Sequence, residues 1–501
     1  MNAHFADPYE QGLKLSGAGR HADAIGCFEQ ALVRKPDDTR ALFALGNTAR
    51  VLGLARPAEE FFRRVLALEP ERVEALVNLA NLLRTSGNFD AAEALLAPAL
   101  TRNPDAAELW LTLGSVHRER GDGERAQTFY REALARRPDY SAALCNVADL
   151  LADAGEADEA LALYDRAIKR DPHSAQARLN RAVLHLQRGN LKDGWRDYAA
   201  RLKISGKAPV CDHALPRWDG GTLRGKRLLV TTEQGIGDQI MFASLFPELI
   251  ARAKEEGGSV ILECEPRLVS LFARSFPAAT VKPSVMRTRG GITTAHYTWL
   301  KQAGGANLAI EMGSVPKFLR GDLARFPDPH AFLAPDAQET AVWREAFAAA
   351  GNGPHIGICW RSGKTGGARS LQYAPLAAWA EFLRGLTGTI VCVQYDATPD
   401  EIATLEAASG RRIVVPSGID QKQELDRACG LFAALDAVVS APTAVSWLAS
   451  GAGVPVFKIL YNNSWTAFGQ SHEPLAPSCR CVMPQIAGDW RNAFAKAAGA
   501  L

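Results

Sequence analysis

Small and large apolar positions return at a fixed interval through the first two hundred residues. Ala24, Ala58, Ala92, Ala126 and Ala160 stand 34 residues apart, each followed four residues later by Phe28, Phe62, Leu96, Tyr130 or Tyr164. A third row, Ala31, Val65, Ala99, Ala133 and Ala167, completes a spacing of i, i+4, i+7, which is one face of a helix. Prolines at 36, 70, 104, 138 and 172 close the units, and Gly19, Gly53, Gly87, Gly121, Gly155 and Gly189 divide each into two helical stretches. A sixth unit keeps its first helix, ARLNRAVLHLQRG, but ends GWRDYAARLK, with Gly194 in place of the alanine and no proline. An atypical last unit is expected where a stack of helix pairs loses its neighbour.

From about residue 205 the pattern changes to short apolar runs alternating with helical ones. RLLVTT, SVILECE and TVKP lead one series; HIGICW, TIVCVQYD, RIVVP, DAVVSA and VPVFKIL lead a second. Buried runs of this kind between helices predict parallel sheets covered on both faces. The joint near RFPDPHAFLAPDAQ separates two such series, so the expected organisation is a repeat region over 1–204 and Rossmann-like halves over 205–330 and 331–501. Ligands of such sheets sit beyond the carboxyl ends of the strands, which directs attention to 232–239, 360–370, 394–396, 416–420 and 440–445.

Charge narrows the partners. The 57 Lys and Arg balance 55 Asp and Glu, a net charge of +2, which leaves no cationic excess for a nucleic acid backbone. No apolar run approaches the length of a membrane span, and MNAHFADPYE lacks the features of a leader, so a cytoplasmic protein is expected. The nine cysteines form no CxxC pair; Cys479 and Cys481 alone form a CxC, and no metal site is expected.

The 34-residue unit is that of the tetratricopeptide repeat. Together with GW-x-x-Y at Gly194–Tyr198, W-x-G-x-x-L-x-G-K at Trp218–Lys226, EQGIGDQI at Glu233–Ile240 and S-x-x-TAV-x-x-L at Ser440–Leu448, it resembles bacterial proteins that fuse tetratricopeptide repeats to a heptosyltransferase-like glycosyltransferase domain. The resemblance implies an α-solenoid followed by an α/β GT-B pair of Rossmann-like domains facing across a cleft. The run SAPTAVSWLASGAGVPVFKILYNNSWTAFG is similar to the branch associated with flagellin glycosylation, in which repeats recruit flagellin and the catalytic half transfers a nonulosonic acid from its CMP conjugate. Two departures stand out. Relatives read DTA-x-x-H where this chain has Pro442 and Trp447, which points to a different donor or to lost activity. The alternatives are therefore a protein-binding scaffold with a degenerate domain, and, more distantly, heptosyl or N-acetylglucosaminyl transfer.

Within this frame the junctions offer specific chemistry. Gly235 and Gly237 open a helix whose exposed amides suit an anion, and Asp238 follows them. Asp238 either takes the acceptor proton or supports the helix end; Glu233 is the reserve base. Arg361, Lys364, Arg369 and Ser370 lie in a glycine-rich loop that is either a phosphate cradle or a solvated basic segment. Pro442 at the first position of a helix would leave the Thr443 and Ala444 amides for a phosphate, with the Thr443 and Ser446 hydroxyls adding contacts. Gln394 reads a base or ribose or holds a turn, and Trp465 stacks on a ligand or closes a sheet edge. Asn47, Asn78, Asn81, Asn146 and Asn180 fall on first helices of the repeats, where they either grip a partner's backbone or bridge neighbouring repeats. A nucleotide sugar, CMP-linked in the branch named above, is the expected co-substrate and a protein acceptor the expected partner, with no other cofactor.

Overall fold

The computed structural model describes residues 7–204, 208–233, 235–289, 292–327, 330–363 and 372–501. Its first part is a series of antiparallel helix pairs: α1 (Pro8–Gly17) with α2 (His21–Arg34), α3 (Thr39–Val51) with α4 (Ala55–Leu68), and α5 (Val73–Thr85) with α6 (Phe89–Arg102). Then come α7 (Ala107–Arg120) with α8 (Gly123–Arg136), α9 (Ser141–Asp153) with α10 (Ala157–Arg170), and α11 (Ala175–Gln187) with the shorter α12 (Leu191–Tyr198). The dividing glycines all hold positive φ, between 74° at Gly53 and 94° at Gly121, a conformation that costs other residues a Cβ clash. Each of α2, α4, α6, α8 and α10 stops two residues before its proline, as the steric restriction on pre-proline residues requires.

Packing between paired helices is set by the periodic positions. The alanine row from Ala24 to Ala160 is fully buried, and Phe28, Phe62, Leu96, Tyr130 and Tyr164 beneath it are at most 2% exposed. These rings fit because the facing first helix carries a residue with little or no side chain: a Cβ at Gly12, Gly46 or Gly114 would lie 2.5–2.7 Å from Phe28, Phe62 or Tyr130. Gly194 follows the same logic in reverse, since Leu186 occupies the space of a Cβ there, at 2.6 Å.

The chain divides into two compact units, one ending at Asn180 and including Arg287–Thr293, the other made of Arg181–Met286 and Thr294–Leu501. The division falls before the expected limit of 204, because α12 and the turn after it are bound into the second unit. Trp195 donates its indole N–H to the Arg320 carbonyl at 2.9 Å and packs edge-on against Phe468, and Arg201 pairs with Glu233.

The second unit is α/β. Its strands are β1 (Val210–Cys211), β2 (Arg227–Thr231), β3 (Ser259–Cys264) and β4 (Thr280–Pro283), then, past β5 (Met286–Arg289) and β6 (Ile292–Ala295), which straddle the limits of the Arg287–Thr293 segment counted with the first unit, β7 (Leu308–Glu311), β8 (His355–Cys359), β9 (Thr389–Cys392), β10 (Ile413–Val414), β11 (Ala437–Ser440), β12 (Val456–Ile459), β13 (His472–Glu473) and β14 (Ala476–Val482). A parallel four-stranded sheet has the order β4-β3-β2-β7, and a seven-stranded sheet the order β10-β9-β8-β11-β12-β14-β13, in which β13 alone is antiparallel. Leu228, Leu229 and Val230 in β2 and Val438 and Val439 in β11 are fully buried, as strands covered on both faces must be. The edge pair β13–β14, which carries Cys479 and Cys481, escaped the sequence reading because SCRC alternates without an apolar run.

The helices that matter for the site are α13 (Ile236–Ala243) after β2, α14 (Phe246–Glu255), α15 (Val269–Ser275) after β3, α16 (Pro316–Leu319), α17 (Ala337–Ala350), α18 (Leu376–Gly385), α19 (Pro399–Ser409), α20 (Leu425–Phe432), α21 (Ala444–Gly451) after β11, and α22 (Trp490–Ala498). Strand order reverses at β2/β7 in one sheet and at β8/β11 in the other, so each sheet has a switch point at which a crevice forms.

Candidate functional site

A cavity of about 540 Å³ lies among the carboxyl ends of both sheets. One wall is the turn after β2 and the start of α13, with Gly235, Ile236 and Gly237; the opposite wall is the start of α21, with Thr443, Ala444 and Val445. The two helix starts approach closely: a Cβ at Gly237 would sit 3.5 Å from the Ala444 Cα and 3.6 Å from Trp447. Thr443 caps α21 by accepting the Val445 amide at 3.3 Å. Pro442 therefore stands before the cap and not at the first helical position expected for it. Ser446 is also displaced from its expected role, because its hydroxyl donates to the Thr443 carbonyl at 2.7 Å and is fully buried.

Charge enters the cavity from residues that sequence reasoning passed over. Arg267, just past β3, lines it together with Lys422, which precedes α20. Arg267 is held by Glu265 at 2.8 Å and donates Nη1 to the Lys422 carbonyl at 2.7 Å, which ties the two halves of the α/β unit. Arg274 adds a second tie, donating to the Ala334 carbonyl at 2.7 Å and pairing with Asp426. With Glu265 compensating Arg267, the lining's excess charge is that of Lys422, which is exposed. Tyr395 contributes an aromatic face, its hydroxyl accepting the Gly363 amide at 2.5 Å. The signal for Lys422 was its place in the junction after the short strand β10, where QKQELD reads as helix capping.

Several expected ligand groups are instead committed to the protein. Arg361 forks onto Glu401 at 2.6 and 2.8 Å and reaches Asp396 at 3.0 Å. Burial works to raise the Glu401 carboxyl, but Arg361, the Thr398 amide and the Trp360 indole outweigh it and hold the group at about 2. Gln394 accepts the Trp360 and Arg361 amides at 3.1 and 3.0 Å and donates to Asp396 at 2.6 Å, so it fastens the ends of β8 and β9 and fills the turn role. Lys364, Arg369 and Ser370 lie outside the described residues. Trp465 packs on Tyr198, with ring centroids 5.4 Å apart, and on Trp195, away from the cavity. Lys458 is buried over the Trp447 ring at 3.9 Å and pairs with Glu473 at 2.6 Å, which accounts for the bulky residue at 447.

The turn after β2 separates the two candidate bases. Glu233 is locked: Arg201 donates to both its oxygens and the Gly313 amide adds a third bond at 3.1 Å. Burial raises its carboxyl while Arg201 opposes the shift. Asp238 accepts the Gly235 amide at the head of α13, so the capping role set beside catalysis is present. Burial, reinforced by Glu233, lifts Asp238 to about 6, within the range in which a carboxylate exchanges protons at neutral pH. Asp238 is half-buried and is not among the residues that line the cavity, which include Gly235, Ile236 and Gly237 before it and Gln239 and Ile240 after it.

In the repeats, Asn78 donates to Asn47 at 3.1 Å and Asn180 to Asp149 at 2.9 Å, so these amides bridge neighbouring repeats. Asn81 accepts from Arg84 at 3.3 Å. Asn146 is half-buried on α9 and makes no side-chain hydrogen bond among the described residues.

Comparison with known proteins agrees with the periodicity. The tetratricopeptide repeat family matches residues 9–73, 77–141 and 146–209. The N-terminal region carries tetratricopeptide repeats. This repeat region is a scaffold of the kind that binds protein partners, and no helix among the described residues is long and apolar enough to cross a membrane. Over 322 residues the chain is 34% identical to Protein FlbA of Caulobacter vibrioides, an alignment that covers 64% of this chain and 54% of that protein. The chain thus spans about half the length of this curated relative. Among solved structures, a thermophilic tetratricopeptide protein of Thermus thermophilus, TTC0263, is 30% identical, covering 36% of this chain and 97% of that one with a TM-score of 0.32. Yeast Tom70 is 22% identical, covering 36% of this chain and 40% of that one with a TM-score of 0.33.

Proposed function

We propose that the chain is a protein glycosyltransferase of GT-B architecture, which moves a sugar from a nucleotide donor to Ser or Thr of a protein held by the tetratricopeptide repeats. The observation that carries this reading is the cavity of about 540 Å³ bounded by strand ends and helix starts of both parallel sheets. In the proposed reaction the acceptor oxygen bonds to the anomeric carbon while the bond to the donor phosphate breaks, inverting the configuration. Asp238 takes the hydroxyl proton, and the leaving phosphate meets the Ala444 amide at the head of α21 with Lys422 and Arg267 nearby. Flagellin as acceptor and a CMP-linked nonulosonic acid as donor are the pair implied by the motif resemblance, and transfer without a metal ion belongs to the same reading.

Purified protein, flagellin and the CMP-sugar, followed by intact mass, test the proposal. Addition of one or more sugar masses is expected, and Asp238→Asn should slow it at least about a hundredfold. Transfer by the variant at the wild-type rate would remove Asp238 from the mechanism.

One observation favours a second reading, a scaffold with an inactive α/β unit: Arg361 is consumed by Glu401 and Asp396, and Pro442 and Trp447 stand where relatives carry polar groups. Calorimetric titration with cytidine and uridine nucleotides separates the two, since absence of binding by either would leave only the scaffold.

A further inference from the structure

The locked state of Glu233 has a single principal cause. Arg201 lies in the turn Ala199–Lys203 after α12 and is 4% exposed. It donates Nε to Glu233 Oε2 at 3.0 Å and Nη2 to Oε1 at 2.5 Å, while Nη2 also reaches Ser314 Oγ at 2.8 Å. Its remaining nitrogen donates to the Tyr198 carbonyl at 3.1 Å, and the guanidinium lies over the Tyr198 ring, 4.6 Å from its centroid. Room for this arrangement exists because residue 313 is glycine: a Cβ there would stand 2.8 Å from Glu233 Oε1 and 3.1 Å from Arg201 Nη2. Ser314 is fixed from the other side by Arg217 at 2.9 Å, itself paired with Glu311 at 2.8 Å.

This network sits at the switch point between β2 and β7, directly under the turn that leads to Asp238. The charged groups facing Asp238 are Glu233 and Arg201. From α21, the residues against Gly237 are Ala444 and Trp447, which bring no charge. Both oxygens of Glu233 are claimed by three donors and so are withheld from a substrate hydroxyl, whereas Asp238 is held by a single helix amide.

We propose that Arg201 is a positioning residue of the transferase site: it withdraws Glu233 from the chemistry and fixes the charge that Asp238 meets, leaving Asp238 as the proton acceptor of the turn. This rests on the glycosyltransferase reading above. Burial lifts Asp238 toward neutrality, the fixed Glu233 charge lifts it further, and Arg201 offsets part of that lift.

The test follows the carboxyl carbon of Asp238 by 13C NMR in the full chain labelled at aspartate, with Asp238→Asn giving the assignment. Wild type is compared with Glu233→Gln and with Arg201→Gln/Glu233→Gln. The first substitution removes a negative charge and should lower the Asp238 midpoint; the second then removes the positive charge and should raise it again, each by roughly 0.5–1 pH unit. The acid limb of kcat/KM for sugar transfer should move in step with the midpoint. Coincident midpoints in all three proteins would overturn the proposal, as would a uniform loss of transfer with the limb unmoved. Should the double variant not fold, Glu233→Gln decides alone, because it keeps the shape of the site and an unchanged midpoint refutes the assigned charge effect. Midpoints that shift as stated in a protein that transfers no sugar would uphold the role of Arg201 and refute the transferase reading, so the two fail separately.

Discussion

At the scale of single residues, a cation's neighbours decide whether it serves a ligand or the fold. Arg361 looked like a phosphate ligand because it follows a strand and opens a glycine-rich loop; what the linear order concealed is that Glu401, forty residues on, returns to it across the sheet end. Lys422 also follows a strand, in a stretch that reads as helix capping, yet it is the cation that lines the cavity without an acidic partner among the described residues. Opposite outcomes follow. Arg361→Met should lower the unfolding free energy by about 1–3 kcal/mol, because Glu401 loses its charged hydrogen bonds. Glu401 is held at about 2, below its ordinary 4.5, so this stabilisation is complete above 4.5 and is lost as pH falls toward 2. Urea unfolding between pH 2 and pH 7 should therefore show a shallower acid loss in the variant than in wild type. Lys422→Ala should leave the urea midpoint unchanged and weaken nucleotide-sugar binding about tenfold by calorimetry. The reverse pattern would restore the assignment of Arg361 to the phosphate.

At the scale of elements, legibility depends on whether the cause of a structure is local. Repeat helices are legible because each of the first five units restates its own turn, packing alanine and terminal proline, and the glycine row at positive φ matches the sequence position by position. The strands of the second unit are legible as buried runs, but their order is not, since pairing β8 with β11 rather than with its sequence neighbours on both sides is a non-local result. Within the repeats two kinds of glycine can be told apart by substitution. Nothing lies within 4 Å of a Cβ at Gly87, so Gly87→Ala should cost only the left-handed backbone penalty, about 1–2 kcal/mol. Gly46 is different: a Cβ there would stand 2.7 Å from the Phe62 ring, and the strain of Gly46→Ala should amount to about 1–3 kcal/mol. The third repeat already pairs Ala80 with Leu96, so adding Phe62→Leu should recover part of the loss at Gly46 and none at Gly87. Guanidinium unfolding of the single and double variants measures the coupling; strictly additive losses at 46 and 62 would contradict the packing argument.

At the scale of the whole molecule, the consequence lies in where one compact unit begins. The repeat pattern runs to residue 204 by sequence, and the family match extends to 209, yet the second unit claims the chain from Arg181 onward. Its claim is physical. Trp195 is 2% exposed and bonded to the Arg320 carbonyl, Arg181 pairs with Asp197 at 2.5 Å, and Arg201 neutralises Glu233 beneath the turn that bears Asp238. A fragment starting at 205 would strip Glu233 of its cation and leave a buried charge unpaired, a change that costs about 3–5 kcal/mol, and it would also uncover Phe468 and Trp465. A fragment starting at 175, the first residue of α11, keeps all of these contacts. The expectation is that 175–501 unfolds in one cooperative thermal transition and, on the glycosyltransferase reading, binds the nucleotide sugar while failing to bind the protein acceptor. The 205–501 fragment should aggregate or melt without cooperativity. A well-folded 205–501 fragment with full nucleotide affinity would show that α12 and Arg201 are dispensable to the site, and that the last repeat is a passive spacer rather than part of the α/β unit's foundation.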